Sequence, residues 1–406
     1  MILLLCFANA AAGQEAAPAG LLPFGGDAGR FRTLQFDRRT PLNVANDFNE
    51  FPEFEGGILV VGEDAAMKIS GFVKADFISD FDPINSTDSF DTTTIPVDVA
   101  DRNNARFHAR QSRLSFDTRW RVNGDIARAF LEADFFGSDV SNRDALRLRH
   151  AYGTLGWVTV GQTWTTFTDP SAVPSTLDFE GAVSNVNRRQ GLLRLELPLL
   201  SGLTWAIALE DPRISIDAPS TIDGTGRTES PDFINRLRFE ADSAEFQAAM
   251  VVRKLGFQRT DQPVVDEIAY GFNFTGSALI VERTKLYSQI TFGDGIGSYR
   301  GSNDVVSTGP DSAELLPMFG WMIGIHHEWN DHWTSNVTFS ELILDDLDGQ
   351  QGSNLRSTEY LAVNFINNPY ERVFWGAEYL YGSRQNQDGH FANAHRLQLS
   401  VGFYLP

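Results

Sequence analysis

Between Ala127 and Phe136 the chain alternates without a break. Ala127, Ala129, Leu131, Ala133 and Phe135 fall on one side of a strand, and Arg128, Phe130, Glu132, Asp134 and Phe136 on the other. One side suits lipid and the other suits water. The same pattern returns where Leu114, Phe116, Thr118 and Trp120 alternate with Arg113, Ser115, Asp117 and Arg119. It returns again in Leu203, Trp205, Ile207 and Leu209, and in Val373, Trp375, Ala377, Tyr379 and Tyr381. A soluble sandwich uses shorter strands and must protect its edges, whereas a closed membrane barrel has no edge and uses long two-faced strands throughout. The expected fold class is all-β, a transmembrane antiparallel β-barrel.

Composition closes off the other membrane architecture. The 406 residues are 42% hydrophobic and 21% charged, and they contain no run of about 18 apolar residues that could cross a bilayer as a helix. Strand candidates lie near 67–81, 105–121, 124–137, 145–156, 157–164, 189–197, 202–210, 232–242, 244–255, 265–275, 280–293, 316–329, 332–344, 356–367, 371–384 and 391–404. They number about 16, an even count as in single-chain outer-membrane barrels. Short connections such as Asn123-Gly124, Asp242-Ser243, Asn330-Asp331 and Asn368-Pro369 alternate with long ones at 82–104, 165–188, 211–231, 294–315 and 345–355. The long ones are expected to face outward. Trp120, Trp157, Trp164, Trp205, Trp321, Trp329, Trp333, Trp375 and Tyr404 fall near strand ends, where aromatic girdles form at the headgroup level.

Three segments are expected: a signal peptide over 1–12, a periplasmic tail over 13–66 and the barrel over 67–406. Met1 to Ala12 is apolar and then small, with Ala8-Asn9-Ala10 as a cleavage site, although no basic residue precedes Arg30. Cys6 is the only cysteine and leaves with the signal, which excludes a disulfide scaffold and a cysteine nucleophile. The expected location is the bacterial outer membrane, with lipid and lipopolysaccharide around the barrel.

The net charge of -20 makes nucleic acid a poor partner, but the charge is uneven. Between Arg102 and Arg149 ten arginines stand against six acids. By strand parity Lys74, Arg113, Arg119, Arg128, Arg147 and Arg149 share the polar face of neighbouring strands, and guanidinium grips carboxylates bidentately. A lumen path for anions along one wall is the functional reading. The bland reading is a network with Asp117, Glu132 and Asp134 that stiffens the interior. Arg106, His108 and Arg110 have the opposite parity from Arg113 and need a bulge, a place beyond the lipid band, or a subunit contact.

Enzymatic signals are poor. His326-His327-Glu328-Trp329-Asn330-Asp331-His332 spans a strand turn rather than one helix face, and Asp346-Leu347-Asp348-Gly349 lacks the remaining ligands of a calcium loop. No catalytic set, metal site or cofactor is expected. His108, His150, His390 and His395 do not assemble a hydrolase. The alternatives to a channel are a structural or adhesive protein with a plugged lumen, and a membrane-embedded hydrolase.

Several ordered motifs between 70 and 191 carry a family likeness. They are Ser70-Gly71-Phe72-Val73-Lys74-Ala75-Asp76, Thr93-Thr94-Ile95-Pro96-Val97, Arg106-Phe107-His108-Ala109-Arg110-Gln111-Ser112-Arg113-Leu114, Phe130-Leu131-Glu132-Ala133-Asp134-Phe135-Phe136-Gly137, Leu146-Arg147-Leu148-Arg149-His150-Ala151-Tyr152-Gly153, Gly161-Gln162-Thr163-Trp164 and Leu177-Asp178-Phe179-Glu180-Gly181. Together they resemble the DcaP-like outer-membrane porins. The resemblance implies a homotrimeric 16-stranded channel for small organic anions, including dicarboxylates and aromatic acids, and it adds Arg106 and Arg110 to the pore residues. The segment Thr165–Gln190, with Asp169, Asp178, Glu180, Arg188 and Arg189, resembles the third loop of porins, which folds into the lumen as a constriction. Acids there facing arginines on the wall would set up a transverse field.

Overall fold

The structure is a computed structural model that describes residues 58–61, 65–137, 144–218, 224–260, 262–307 and 313–405. The expected signal peptide and most of the expected tail lie outside the described residues. The first eight barrel strands are β1 Ala65–Asp80, β2 in two pieces Asn104–His108 and Arg113–Val122, β3 Asp125–Gly137, β4 Ala145–Leu155, β5 Val158–Trp164, β6 Arg189–Leu200, β7 Leu203–Glu210 and β8 Asp232–Ala241. The second eight are β9 Ala244–Gln258, β10 Val265–Val281, β11 Thr284–Asp294, β12 Pro317–Glu328, β13 Trp333–Leu344, β14 Leu355–Tyr370, β15 Val373–Asn386 and β16 Phe391–Tyr404. Each pairs antiparallel with the next. The sheet closes where β16 pairs with β1 from Phe72 opposite Tyr404 to Asp80 opposite Arg396. Below that point a short strand, Ile58–Val61, pairs with β1 between Ala66 and Ile69.

Short turns gather on one rim. Asn123 and Gly124 both take positive φ, 51° and 91°, as a two-residue turn matched to strand twist requires. Trp120, Trp157, Trp329 and Trp375 are exposed close to these turns, a girdle at one membrane interface. Two turns fall later than the pattern suggests. β10 continues to Val281 and turns at 282–283, because Gly276 is a strand residue whose missing side chain leaves room for the ring of Phe246. β14 runs through Pro369 to Tyr370, with the pairing register shifting between Asn367 and Tyr370, a local irregularity of the kind that accommodates a proline in a ladder.

Three of the long connections pack against the barrel wall, which for 81–103 and 295–316 departs from the outward course expected. Ile84, Phe90 and Ile95 from 81–103, Phe167, Val183 and Val186 from 165–188, and Ile296, Tyr299, Val306 and Leu316 from 295–316 join one buried apolar cluster. Its strand members include Ile234, Val251, Tyr287, Met322, Leu342, Tyr360 and Leu380, all from β7 onward, and among the described residues none comes from β1 to β6. Each large side chain buried this way contributes about 1.5–3 kcal/mol. Glycines provide the seats. A Cβ on Gly382 would lie 2.3 Å from Thr92, and one on Gly320 would lie 2.9 Å from Ser184.

Candidate functional site

Among the described residues, the side of the lumen whose strands add nothing to that apolar cluster is the basic one. On its inward face Arg113 of β2 stands opposite Asp134 of β3, which stands opposite Arg147 of β4. Nearer the short turns Arg119 stands opposite Arg128. Simple alternation places these residues.

Two irregularities place the rest. His108 lies opposite Asp76 of β1, and Arg113 lies opposite Phe72, so β2 has one residue more than β1 between the two pairs. That extra residue reverses parity and turns Arg106 and His108 to the same side as Arg113. On β4 the register slips between Leu148 and His150, and Arg149 and His150 are both buried.

Every expected wall cation is bonded. Arg149 contacts Glu132 at 2.5 Å and Asp134 at 2.9 Å, and Arg147 contacts Asp134 at 2.6 Å. Asp117 takes Arg128 at 2.9 Å and Arg119 at 3.0 Å. Arg113 lies 3.8 Å from Glu132. Lys74 pairs with Asp76 at 2.9 Å and also donates to the carbonyl of Leu177. Asp88, from the connection between β1 and β2, meets Arg106 at 2.7 Å and is also held by Arg110, which lies 3.3 Å from Asp144. These eight cations share six carboxylates, so a positive surplus stays on this wall.

Solvent access separates them. The side chains of Arg147, Arg106 and Arg128 are 34%, 31% and 22% exposed, against 4% for Arg119, 1% for Arg149 and none for Lys74. The first three can meet a solute. The last three brace the wall, where removing one partner would leave a buried charge uncompensated.

Aromatic rings line the same rows. Phe136 stacks on Phe179 with centroids 4.1 Å apart. Arg110 and Arg147 lie 5.1 and 5.4 Å from the Phe136 ring, and Arg147 lies 5.1 Å from Phe179. Arg128 lies 5.1 Å from Phe130, so each accessible guanidinium of β3 and β4 rests on an apolar face that holds it without neutralising it. Phe136, Phe179 and Asp88 escaped the sequence reading as site residues. The first two stand inside the motifs that carry the family likeness, and that was the available signal.

The segment 165–188 bonds to a run of strands on the apolar side of the barrel, from β10 to β15. Asn273 of β10 donates to the carbonyl of Phe167 at 2.7 Å, and Lys285 of β11 to that of Ser171 at 2.9 Å. Val183 donates to Ser340 of β13 at 2.9 Å, Asn364 of β14 to the carbonyl of Ser175 at 2.7 Å, and Asp178 to Glu378 of β15 at 2.6 Å.

Its expected charged residues are partnered, most of them by the other inner connections. Asp169 caps the short helix Pro170–Ala172 through the Ser171 amide at 3.0 Å. Asp178 accepts the amides of Phe90 at 2.8 Å and Gly181 at 3.0 Å, and burial pushes its carboxyl above the usual range. Glu180 pairs with Arg300 at 2.8 Å. Arg188 donates to Ser298 at 2.8 Å, and Arg189 opens β6 and stacks over Trp164 at 4.4 Å. The histidines of the 326–332 stretch go separate ways: His326 is buried, His327 bonds Thr284 at 2.8 Å, and His332 bonds the carbonyl of Asn368 at 2.8 Å. Among the described residues no three metal-binding side chains converge.

Comparison with known proteins agrees with this geometry. The model of the DcaP outer membrane protein family matches residues 41–237. The outer membrane channel DcaP of Acinetobacter baumannii shares the fold with a TM-score of 0.78 at 20% identity, over 86% of this chain and 100% of that one. An anion-selective porin from Comamonas acidovorans has a TM-score of 0.58 at 11% identity, over 84% of this chain and 100% of that one. The trimer form of OmpT from Vibrio cholerae has a TM-score of 0.53 at 9% identity, over 84% and 99%. No curated protein matches the sequence.

Proposed function

We propose that this outer-membrane β-barrel, whose residues 41–237 match the DcaP outer membrane protein family, is a passive channel, not an enzyme, for small organic anions such as dicarboxylates and aromatic acids. The observation that carries this reading is the division of the lumen. Apolar packing of the inner connections occupies the β7–β16 side, and the partly exposed guanidiniums of Arg106, Arg128 and Arg147 stand on the other. Charges lining the remaining passage decide which ions cross it, and a surplus of arginine favours anions.

The segment Thr165–Gln190 is read as the constriction, supported by its bonds to β10–β15 on one side and, on the other, by the stack of Phe179 on Phe136 and the bond from Lys74 to the Leu177 carbonyl. Its part in selectivity is then to narrow the passage against the arginine wall, more than to oppose it with free acids.

A homotrimer is part of the reading. An apolar groove on the outer wall is lined by Met67, Phe116, Thr118, Ala129, Leu131 and Ala151, and small residues there permit close approach of another barrel. The rest of the outward apolar band meets lipid and, on the outer leaflet, lipopolysaccharide. The tail expected over 13–66 is assigned to the periplasm.

One observation favours a second reading: three inner connections packed together are also what a plugged barrel with its function in outer loops would contain. Reversal potentials across a salt gradient in planar bilayers separate the two. Anion-selective current is expected, while a cation-selective reversal or a silent bilayer overturns the channel proposal.

A further inference from the structure

We propose that Asp88 is a built-in competitor for the permeating anion: its carboxylate occupies the site that Arg106 and Arg110 offer, and a solute carboxylate binds there by displacing it. This rests on the anion-path reading above.

Both carboxylate oxygens of Asp88 are engaged, Oδ1 by Arg106 at 2.7 Å and Oδ2 by Arg110. Two guanidiniums on two oxygens is the grip such a pair would give a solute carboxylate. Asp76, Asp117, Glu132 and Asp134 are set in the wall itself, whereas Asp88 arrives on the connection between β1 and β2.

The backbone on either side of Asp88 is held. The carbonyl of Ser86 accepts from Arg396 at 2.9 Å, the amide of Phe90 donates to Asp178 at 2.8 Å, and the Phe90 ring is buried in the apolar cluster. Exchange of Asp88 for a solute therefore needs only side-chain rotation, and Arg106 has the exposure to make it. Arg147 lies against the same Phe136 ring as Arg110, at 5.4 and 5.1 Å, so a solute leaving the pair has another cation close by.

The consequence is a site that releases as well as binds. Conduction requires binding weak enough to let the solute leave, and an internal carboxylate that reclaims the arginines supplies that weakness. Solutes that carry two carboxylates compete best.

The test is Asp88→Asn in planar bilayers, with succinate as the probe and its binding read from current noise. Apparent affinity should rise about tenfold, the loss incurred by a site that is free one-tenth of the time. The anion-to-cation permeability ratio should rise with it, and both gains should vanish when Arg106→Gln and Arg110→Gln are also present. Unchanged succinate affinity in Asp88→Asn, with an anion-selective parent, overturns the competitor and leaves the channel reading standing. A cation-selective parent removes both. Should Asp88→Asn fail to assemble, Asp88→Ser takes its place; failure of both to assemble overturns the proposal, because a contact that a solute displaces is not one the barrel needs to fold.

Discussion

The ring of Phe179 lies nearly parallel on that of Phe136, with centroids 4.1 Å apart and planes inclined by 21°. One belongs to the segment after β5 and the other to the wall of β3, so this contact ties the inner segment to the arginine rows. Truncation by Phe179→Ala removes about 0.5–1.5 kcal/mol of stacking beyond the buried area. The barrel should assemble as before, and single-channel conductance should rise. A conductance equal to the parent's would mean that the segment does not narrow the passage there.

Arg128 and Arg147 are the accessible cations of β3 and β4. Replacing both by Glu should move the permeability ratio toward cations and lower dicarboxylate uptake. The shift should shrink at high salt, where exposed charges in a wet pore are screened. Folding should survive, because lumen substitutions tune selectivity more than insertion. If neither the ratio nor uptake changes, the arginine face is scaffolding.

Gly382 gives the connection between β1 and β2 its place, since a Cβ there would lie 2.3 Å from Thr92 and 3.1 Å from Phe90. Gly382→Val should lift residues 81–98 off the wall, at the 1–3 kcal/mol or so that overpacking typically costs. Faster limited proteolysis between β1 and β2, with the barrel intact, is the expected result. Parental cleavage rates would show that the seat is not needed.

Arg253 is fully buried between Asp232 and Asp304, each at 2.9 Å, and so pins the 295–316 connection to β8 and β9. Arg253→Met leaves two buried carboxylates without their cation, a loss of about 3–5 kcal/mol. Urea unfolding in detergent should show a lower midpoint than the parent. Asp304→Asn should be milder, because Arg253 keeps Asp232.

Asp88 lies outside the membrane-spanning strands, and its protonation has a definite sign. Burial alone would raise its carboxyl, but the hydrogen bond from Arg110 and the charges of His108, Arg106 and Arg110 outweigh burial and hold it below the usual carboxylate range. A carboxyl depressed in the folded state stabilises it above the unfolded value and loses that contribution as pH falls through the folded value. The contribution of Asp88 to holding residues 81–98 should therefore persist through neutral and mildly acid pH and be lost only below about pH 4. The difference in amide exchange of that connection between the parent and Asp88→Asn measures it, and a difference that has already vanished near pH 6 would contradict the assignment.

The resemblance in the motifs from Ser70 to Gly181 and the two-residue period were enough to read a closed barrel, its two faces and the rim of short turns. Alternation is a local property: Leu114, Phe116 and Thr118 face outward whatever lies across the sheet, because a strand has only two sides. The same logic placed Arg113, Arg128 and Arg147 on one inward wall. It could not place Arg106, whose side depends on a single extra residue between His108 and Arg113, visible only in the pairing with Asp76 and Phe72.

Local pattern was also silent on which half of the lumen is filled. Ile84, Phe90 and Ile95 carry no periodicity, and their burial depends on partners such as Tyr360 and Leu380, hundreds of residues away in the chain. The amino-acid sequence by itself determined the strands, their polarity and the basic character of one wall. Only the tertiary structure decided that the inner connections pack on the opposite wall and that Asp88 reaches Arg106 and Arg110. The physical reason is that period and charge are written residue by residue, whereas packing and ion pairing are settled by which distant surfaces fit.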